Sequence, residues 1–308
     1  MLTGIPTILA VLTVVMVGYG LSRSPLTSQE FWRGASRVGY WVFFPVLLFR
    51  TITLMDAPSQ VIWPFLYILI AGLILITLIV GFIGWICNVG KPAMGCVLQG
   101  SFRHNGFVAI AVIQGLYGDV GLVLGAIAMS VLVPPSNVMA VIVMAFAQPD
   151  GAKDGQNMGR YIAREIIRNP LIIAISLALL MRVFSLPIPP VIDEATNMLS
   201  QSALAFMLLT VGAGLKFQSL AGRITPLLIA ASAKLLLFPV LLVTGGMMLS
   251  LPAETLVVLA VFGAAPTAAS SFTLVQEMKG DAPLMADIIM LQTILSIPGM
   301  ILWIWIAS

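Results

Sequence analysis

Ten stretches of the chain are apolar nearly all round, without the polar face of a surface helix or the strict alternation of a half-buried strand. A membrane-spanning helix needs roughly 20 such residues. On that scale the pattern predicts spans at 4–20, 37–54, 62–86, 94–116, 121–147, 165–184, 196–215, 224–249, 253–275 and 284–306. One connection alone is long enough for a domain break: 148–164, QPDGAKDGQNMGRYIAR, polar, Gly-rich and charged. It divides the chain into five helices over 1–147, a linker over 148–164 and five helices over 165–308.

Composition strengthens this picture. Of 308 residues, 60% are hydrophobic and 9% charged, and the mean hydropathy is +1.07. A soluble domain is about a quarter charged, so the chain predicts an all-α polytopic membrane protein and excludes a soluble enzyme, a nucleic-acid binder and a disordered chain. The opening, MLTGIPTILA, lacks a basic leader and reads as a first membrane helix rather than a cleaved signal. The net charge of +3 is a topology marker. With the N-terminus outside, Arg23, Arg33, Arg37, Lys91, Lys153, Arg160, Arg164, Arg168, Lys216, Arg223 and Lys279 fall on inner loops, and only Arg50 and Arg182 on outer ones. By the positive-inside rule both termini are outside and the linker is cytoplasmic. Cys87 and Cys96 then lie near the reducing cytoplasm and read as free packing thiols.

The two halves share a register. A shift of 162 places Phe44 on Phe206, Pro64 on Pro226, Gln114 on Gln276 and Gly118-Asp119 on Gly280-Asp281. Five spans per half make the second half inverted in the membrane, an arrangement typical of secondary transporters. The fourth span is interrupted by Gly100-Ser101 and Arg103-His104-Asn105-Gly106; the ninth by Gly263, Pro266-Thr267 and Ser270-Ser271. Pro removes a backbone donor and Gly loosens a helix, so both spans are expected to break. Broken helices in matching positions of two repeats are the best sequence pointer to a substrate site, because half-helix N-termini attract anions.

Candidate binding residues follow from that expectation. Arg103, His104 and Asn105 lie within the first break; Pro266, Thr267, Ser270 and Ser271 lie in or beside the second. A charge at mid-membrane marks function by default, although Arg103 equally suits a carbonyl partner, and His104, the only histidine, equally suits a buried hydrogen bond. Lys234 sits mid-span with no acid at its depth; it either meets an anionic substrate, replaces a bound cation or tethers exposed carbonyls. Pro134-Pro135-Ser136-Asn137 is expected to interrupt the fifth span, with Asn137 facing the cavity; Thr210 is a weaker candidate, since Thr commonly bonds its own helix. No Walker A sequence, zinc-type ligand set or nucleophile–base spacing is present, so no ATP motor, metal, cofactor or enzyme is expected. Asp287 and Glu277 lie at span ends and do not form a central acidic pair, which favours an organic anion over sodium/proton exchange.

The segments SFRHNGFVAIAVIQGLYGDVGL, VPPSNVMAVIV, RNPLIIAISLALL and GAAPTAASSFTLVQEMKGDAPLMADIIMLQTILS, in this order and spacing, resemble the bacterial branch of the auxin efflux carrier family, related to the plant PIN-type exporters, across essentially the whole chain. The resemblance implies a fold similar to bile-acid symporters and sodium/proton antiporters: ten helices in two inverted five-helix repeats, helices 4 and 9 crossing at their breaks, helices 1, 2, 6 and 7 as scaffold and 3–5 and 8–10 as a transport body moving as an elevator. It implies that Asn105 and Pro266 occupy the two crossing positions. It further implies a carrier of small carboxylates, malate- or malonate-like or auxin-like, in a bacterial inner membrane, with a homodimer through the scaffold by analogy. The central linker is short compared with plant relatives. Sodium or proton coupling is the first alternative; a non-transporting receptor or sensor is the second.

Overall fold

The computed structural model describes residues 4–54, 59–147, 167–215 and 224–308. The expected linker at 148–164 lies outside them. All regular structure among the described residues is helical: α1 Gly4–Arg23, α2 Gln29–Val38, α3 Phe44–Thr53, α4 Ser59–Ile86, α5 Lys91–Phe102, α6 Gly106–Ala147, α7 Pro170–Val183, α8 Pro190–Ala213, α9 Ile224–Ser232, α10 Phe238–Met248, α11 Ala253–Ala264, α12 Ser270–Glu277 and α13 Ala282–Ala307. Two π-helical turns, Gly39–Phe43 and Ala233–Leu237, join α2 to α3 and α9 to α10.

Among the described residues, five helical stretches are long and apolar enough to cross a membrane by length and composition: Ile5–Arg23, Val61–Ile86, Lys91–Ala147, Ile224–Met248 and Ala282–Ala307; Pro170–Val183 and Ala253–Ala264 are shorter apolar helices. Large apolar side chains face outward along them, Trp63 at 74% exposure and Trp85 at 72% among them. In water such a surface would drive aggregation; in lipid it is the expected exterior. Fully buried Phe44, Phe65, Phe102, Phe238 and Phe262 mark the interior instead.

Three local features depart from the sequence expectation or sharpen it. The helical run containing the second expected span begins at Gln29 rather than 37, because Ser28 caps α2 by accepting the Phe31 N–H at 3.1 Å and the polar first turns form an amphipathic entry. The 57-residue run Lys91–Ala147 is no single rod. It breaks at 103–105 and again at Gly118, whose φ of 58° and ψ of −134° suit only glycine. Beyond Gly118 the chain turns back on itself: a Cβ on Gly121 would lie 2.4 Å from the Ile113 carbonyl oxygen. Finally, Pro134-Pro135 does not interrupt the fifth span, contrary to expectation; α6 runs through both. Each proline already holds a helical φ, and the helix merely forgoes two internal N–H donors.

Both π turns precede the same five residues, Phe-Pro-Val-Leu-Leu, at 44–48 and 238–242. Pro45 and Pro239 lack an N–H and crowd the carbonyl four residues back. Widening the preceding turn relieves that clash. The Phe44 N–H then bonds the Gly39 carbonyl and the Phe238 N–H bonds the Ala233 carbonyl, five residues back in each case. Elsewhere α1 and α8 meet backbone to backbone: a Cβ on Gly212 would lie 1.8 Å from the Val15 carbonyl oxygen. Small residues at such contacts are how membrane helices associate without a hydrophobic driving force.

Candidate functional site

The two broken helices meet, and each supplies what the other lacks. After α5 the chain is extended at Arg103 (φ −69°, ψ 149°), and after α11 it is extended at Ala265 (φ −61°, ψ 139°). A helix end leaves carbonyls without donors, and in a low-dielectric interior each needs a partner. The Gly100 carbonyl accepts from the Thr267 hydroxyl at 3.0 Å and from the Gln292 side-chain amide at 2.8 Å. The Pro266 carbonyl accepts the Asn105 N–H at 2.6 Å. The Asn105 side-chain oxygen starts the next half-helix by accepting the Val108 N–H at 3.4 Å.

Pro266 also creates an orphan four residues back. An ordinary residue at 266 would donate to the Phe262 carbonyl, and proline has nothing to donate. Lys234 takes that place, its Nζ 3.3 Å from the Phe262 oxygen and 4.5 Å from the centroid of the Phe238 ring. Lys234 is wholly buried, delivered by the second π turn. Gln292 ties the arrangement together. Besides Gly100, its amide donates to the Ala230 carbonyl at 3.0 Å, and its side-chain oxygen accepts the Thr267 N–H at 3.0 Å. One buried side chain on α13 thereby joins α5, α9 and the second break.

Two cavities flank the first break. The larger, about 350 Å³, is walled by Phe44, Phe107, Met129, Val133, Leu171, Met207 and Val211, with Tyr40, His104, Asn105 and Thr210 among its polar members. The smaller, about 330 Å³, lies between α6 and α12 and includes Asn169, Thr273 and Glu277. Arg103, Asn137 and Ser270 belong to both walls. They are bonded to one another: one Arg103 Nη donates to Asn137 Oδ1 at 2.8 Å and to Ser270 Oγ at 3.1 Å, while the other reaches Gln99 Oε1 at 3.3 Å. The guanidinium is buried, and among the described residues its acceptors are neutral. The ion pair seen among the described residues, Arg50–Asp193, joins α3 to α8 elsewhere.

The expected site residues separate into two groups. Arg103, His104, Asn105, Asn137 and Ser270 line a cavity. Pro266, Thr267 and Lys234 line neither cavity and bond backbone groups at the breaks, Lys234 reaching the Phe262 carbonyl. Ser271 is fully buried, its hydroxyl making no hydrogen bond, and lines neither cavity. His104 is buried, its ring standing edge-on to Phe262 at 5.6 Å. Thr210 bonds its own helix at Met207, as expected, yet still lines the larger cavity. Neither Cys87 nor Cys96 forms a disulfide, and the Cys96 thiol donates to the Asp281 carbonyl at 3.3 Å. Sequence reasoning missed Gln292, Tyr40, Asn169 and Thr273, and set Glu277 aside. Only Gln292 carried a signal, an amide amid the apolar run MADIIMLQTILS.

A family model described as membrane transport protein matches residues 3–304. No curated protein matches the chain. Coverage of almost the entire sequence, on a helical, lipid-facing chain with two opposed helix breaks, places this protein in the membrane transport protein family of the auxin efflux carriers.

Proposed function

We propose that the chain is a secondary transporter of a small organic anion, a carboxylate, and a carrier rather than an enzyme. The observation that carries this reading is Arg103: a buried guanidinium at the junction of two cavities, bonded to neutral oxygens among the described residues. Such a fork matches a carboxylate bidentately. Asn105, Asn137 and Ser270 would orient the bound group. The wall of Phe44, Phe107, Met129, Leu171 and Met207 favours an acid with an apolar body, the auxin-like end of the carboxylate range, over one polar throughout.

Alternating access would move one body against another. Phe44, Leu171, Met207 and Val211 come from spans 2, 6 and 7, whereas Asn105, Met129, Asn137 and Ser270 come from spans 4, 5 and 9. The larger cavity thus lies where an elevator's scaffold and transport body would slide, which supports that mechanism. Inverted repeats are supported by breaks 162 residues apart, Gly100 in register with Phe262 and Asn105 with Thr267, each pair contributing to the junction. A multi-pass protein of a bacterial inner membrane, both termini outside and dimeric through the scaffold, completes the reading. Proton coupling is its variant form, favoured by the His104 ring standing beside Arg103 on the cavity wall.

The test is flux in proteoliposomes. Purified protein should accumulate a radiolabelled aromatic monocarboxylate when an inside-positive potential drives it, and Arg103→Gln should remove that flux while leaving reconstitution intact. Undiminished flux in the variant would refute the assignment. A pH gradient that drives wild-type uptake but not that of His104→Gln separates the proton-coupled form from simple uniport.

A further inference from the structure

The smaller cavity has a different chemistry from the larger one. It is bordered on one side by Pro134, Asn137, Val138 and Val141 of α6 and on the other by one face of α12, where Ser270, Thr273, Leu274 and Glu277 recur at helical spacing. Arg103 and Ser270 stand at its inner end. Glu277, exposed, is seven residues further along α12. At 1.5 Å per residue that is about 10 Å. Among the described residues that line the passage there are hence one cation, bonded to neutral oxygens, and one carboxylate. Arg168 and Lys279 are near in sequence to the lining residues Asn169 and Glu277 but do not themselves line the cavity.

We propose that this cavity is the access vestibule to Arg103 and that Glu277 makes the path selective for monoanions. This rests on the anion-carrier reading above. A monocarboxylate reaching the partition displaces the Asn137 and Ser270 oxygens from the guanidinium and takes their place, so the charges in the path balance. A dicarboxylate satisfies Arg103 with one end and holds its second charge in the vestibule against Glu277. The second charge then lies within the roughly 10 Å that separates Ser270 from Glu277, and even at that distance two like charges in a partly solvated passage weaken binding by about two- to fifteen-fold, depending on the effective dielectric. Glu277 would thereby act on specificity at a distance, without touching the carboxylate that Arg103 holds.

The test uses pairs of acids with one skeleton and one or two carboxylates: benzoate and phthalate, butyrate and succinate. Their inhibition of monocarboxylate flux is measured on full-length wild type, Glu277→Gln and Glu277→Lys in proteoliposomes. Wild type should prefer the monoacid of each pair. Glu277→Gln should strengthen diacid inhibition about two- to fifteen-fold relative to its monoacid, and Glu277→Lys should move the ratio further the same way. The differences should shrink at high ionic strength. Equal ratios in all three proteins, or a wild type preferring diacids, would overturn the proposal while leaving the carrier assignment standing. Failure of every acid to inhibit wild type would instead remove the anion-carrier reading itself, and this proposal with it.

Discussion

Arg103 shows how one side chain becomes a candidate for binding only through its partners. A guanidinium bonded to Asn137, Ser270 and Gln99 is satisfied as a donor but keeps its full charge. Hydrogen bonds between a charged and a neutral group contribute about 1.5–3 kcal/mol, so Arg103→Gln should weaken carboxylate binding by roughly ten- to a hundred-fold, read as a rise in the dissociation constant from ligand-dependent thermal stability in detergent. Arg103→Lys keeps the charge but loses the planar fork and should fall between the two; equal binding in all three proteins would exclude Arg103 from the path. The sequence marked Arg103 as costly inside a membrane, but two of its three partners lie 34 and 167 positions away. Gln292 was legible only as an odd amide, because its three contacts are backbone groups that any residue type can present. Gln292→Leu leaves the buried Thr267 N–H without its acceptor and should lower stability by at least about 1 kcal/mol, measured as a shift of thermal or denaturant unfolding in detergent.

At the scale of the element, the breaks follow from donors that are missing. Pro266 withholds the N–H that the Phe262 carbonyl needs, and Lys234 fills the gap. A double substitution can tell this from a direct contact with substrate. Lys234→Met alone should destabilise the protein by about 1–3 kcal/mol, the penalty for an unsatisfied buried carbonyl. Pro266→Ala restores a donor and lets α11 continue by a turn. The combined variant should therefore be more stable than the sum of the two single effects, by a coupling of at least about 0.5 kcal/mol. It should nonetheless fail to transport, because continuing α11 closes the break. Simple additivity would show that Lys234 does not serve this carbonyl. Sequence marked both broken spans correctly because Gly and Pro act locally. It misjudged Pro134-Pro135 by the same local logic: proline removes a helical bond but does not by itself turn a helix aside. The paired π turns were equally local, written in the repeated Phe-Pro-Val-Leu-Leu, and went unnoticed because the repeat does not share the 162-residue register.

At the scale of the molecule, the larger cavity lies between two groups of helices, and Phe44 meets Phe107 across it with ring centroids 4.8 Å apart. A cysteine at each of these positions, in a background with Cys87 and Cys96 replaced by serine, allows a short bis-thiol crosslinker to tie spans 2 and 4. Flux should stop on crosslinking and remain normal with a monofunctional reagent of the same size. Normal flux through the tied protein would sink the elevator mechanism. Hydropathy alone determined that the chain is a helical membrane protein, since apolar runs of spanning length have no other stable home and the backbone must satisfy itself within each run. Gly and Pro alone determined where spans four and nine would break. Only the tertiary structure decided which freed carbonyl each polar side chain serves, that Lys234 and Thr267 hold backbone while Arg103 and Asn137 face open space, and that Glu277 shares a wall with Arg103. Those assignments depend on which helices lie side by side, and packing between apolar surfaces in lipid leaves little trace in the order of residues.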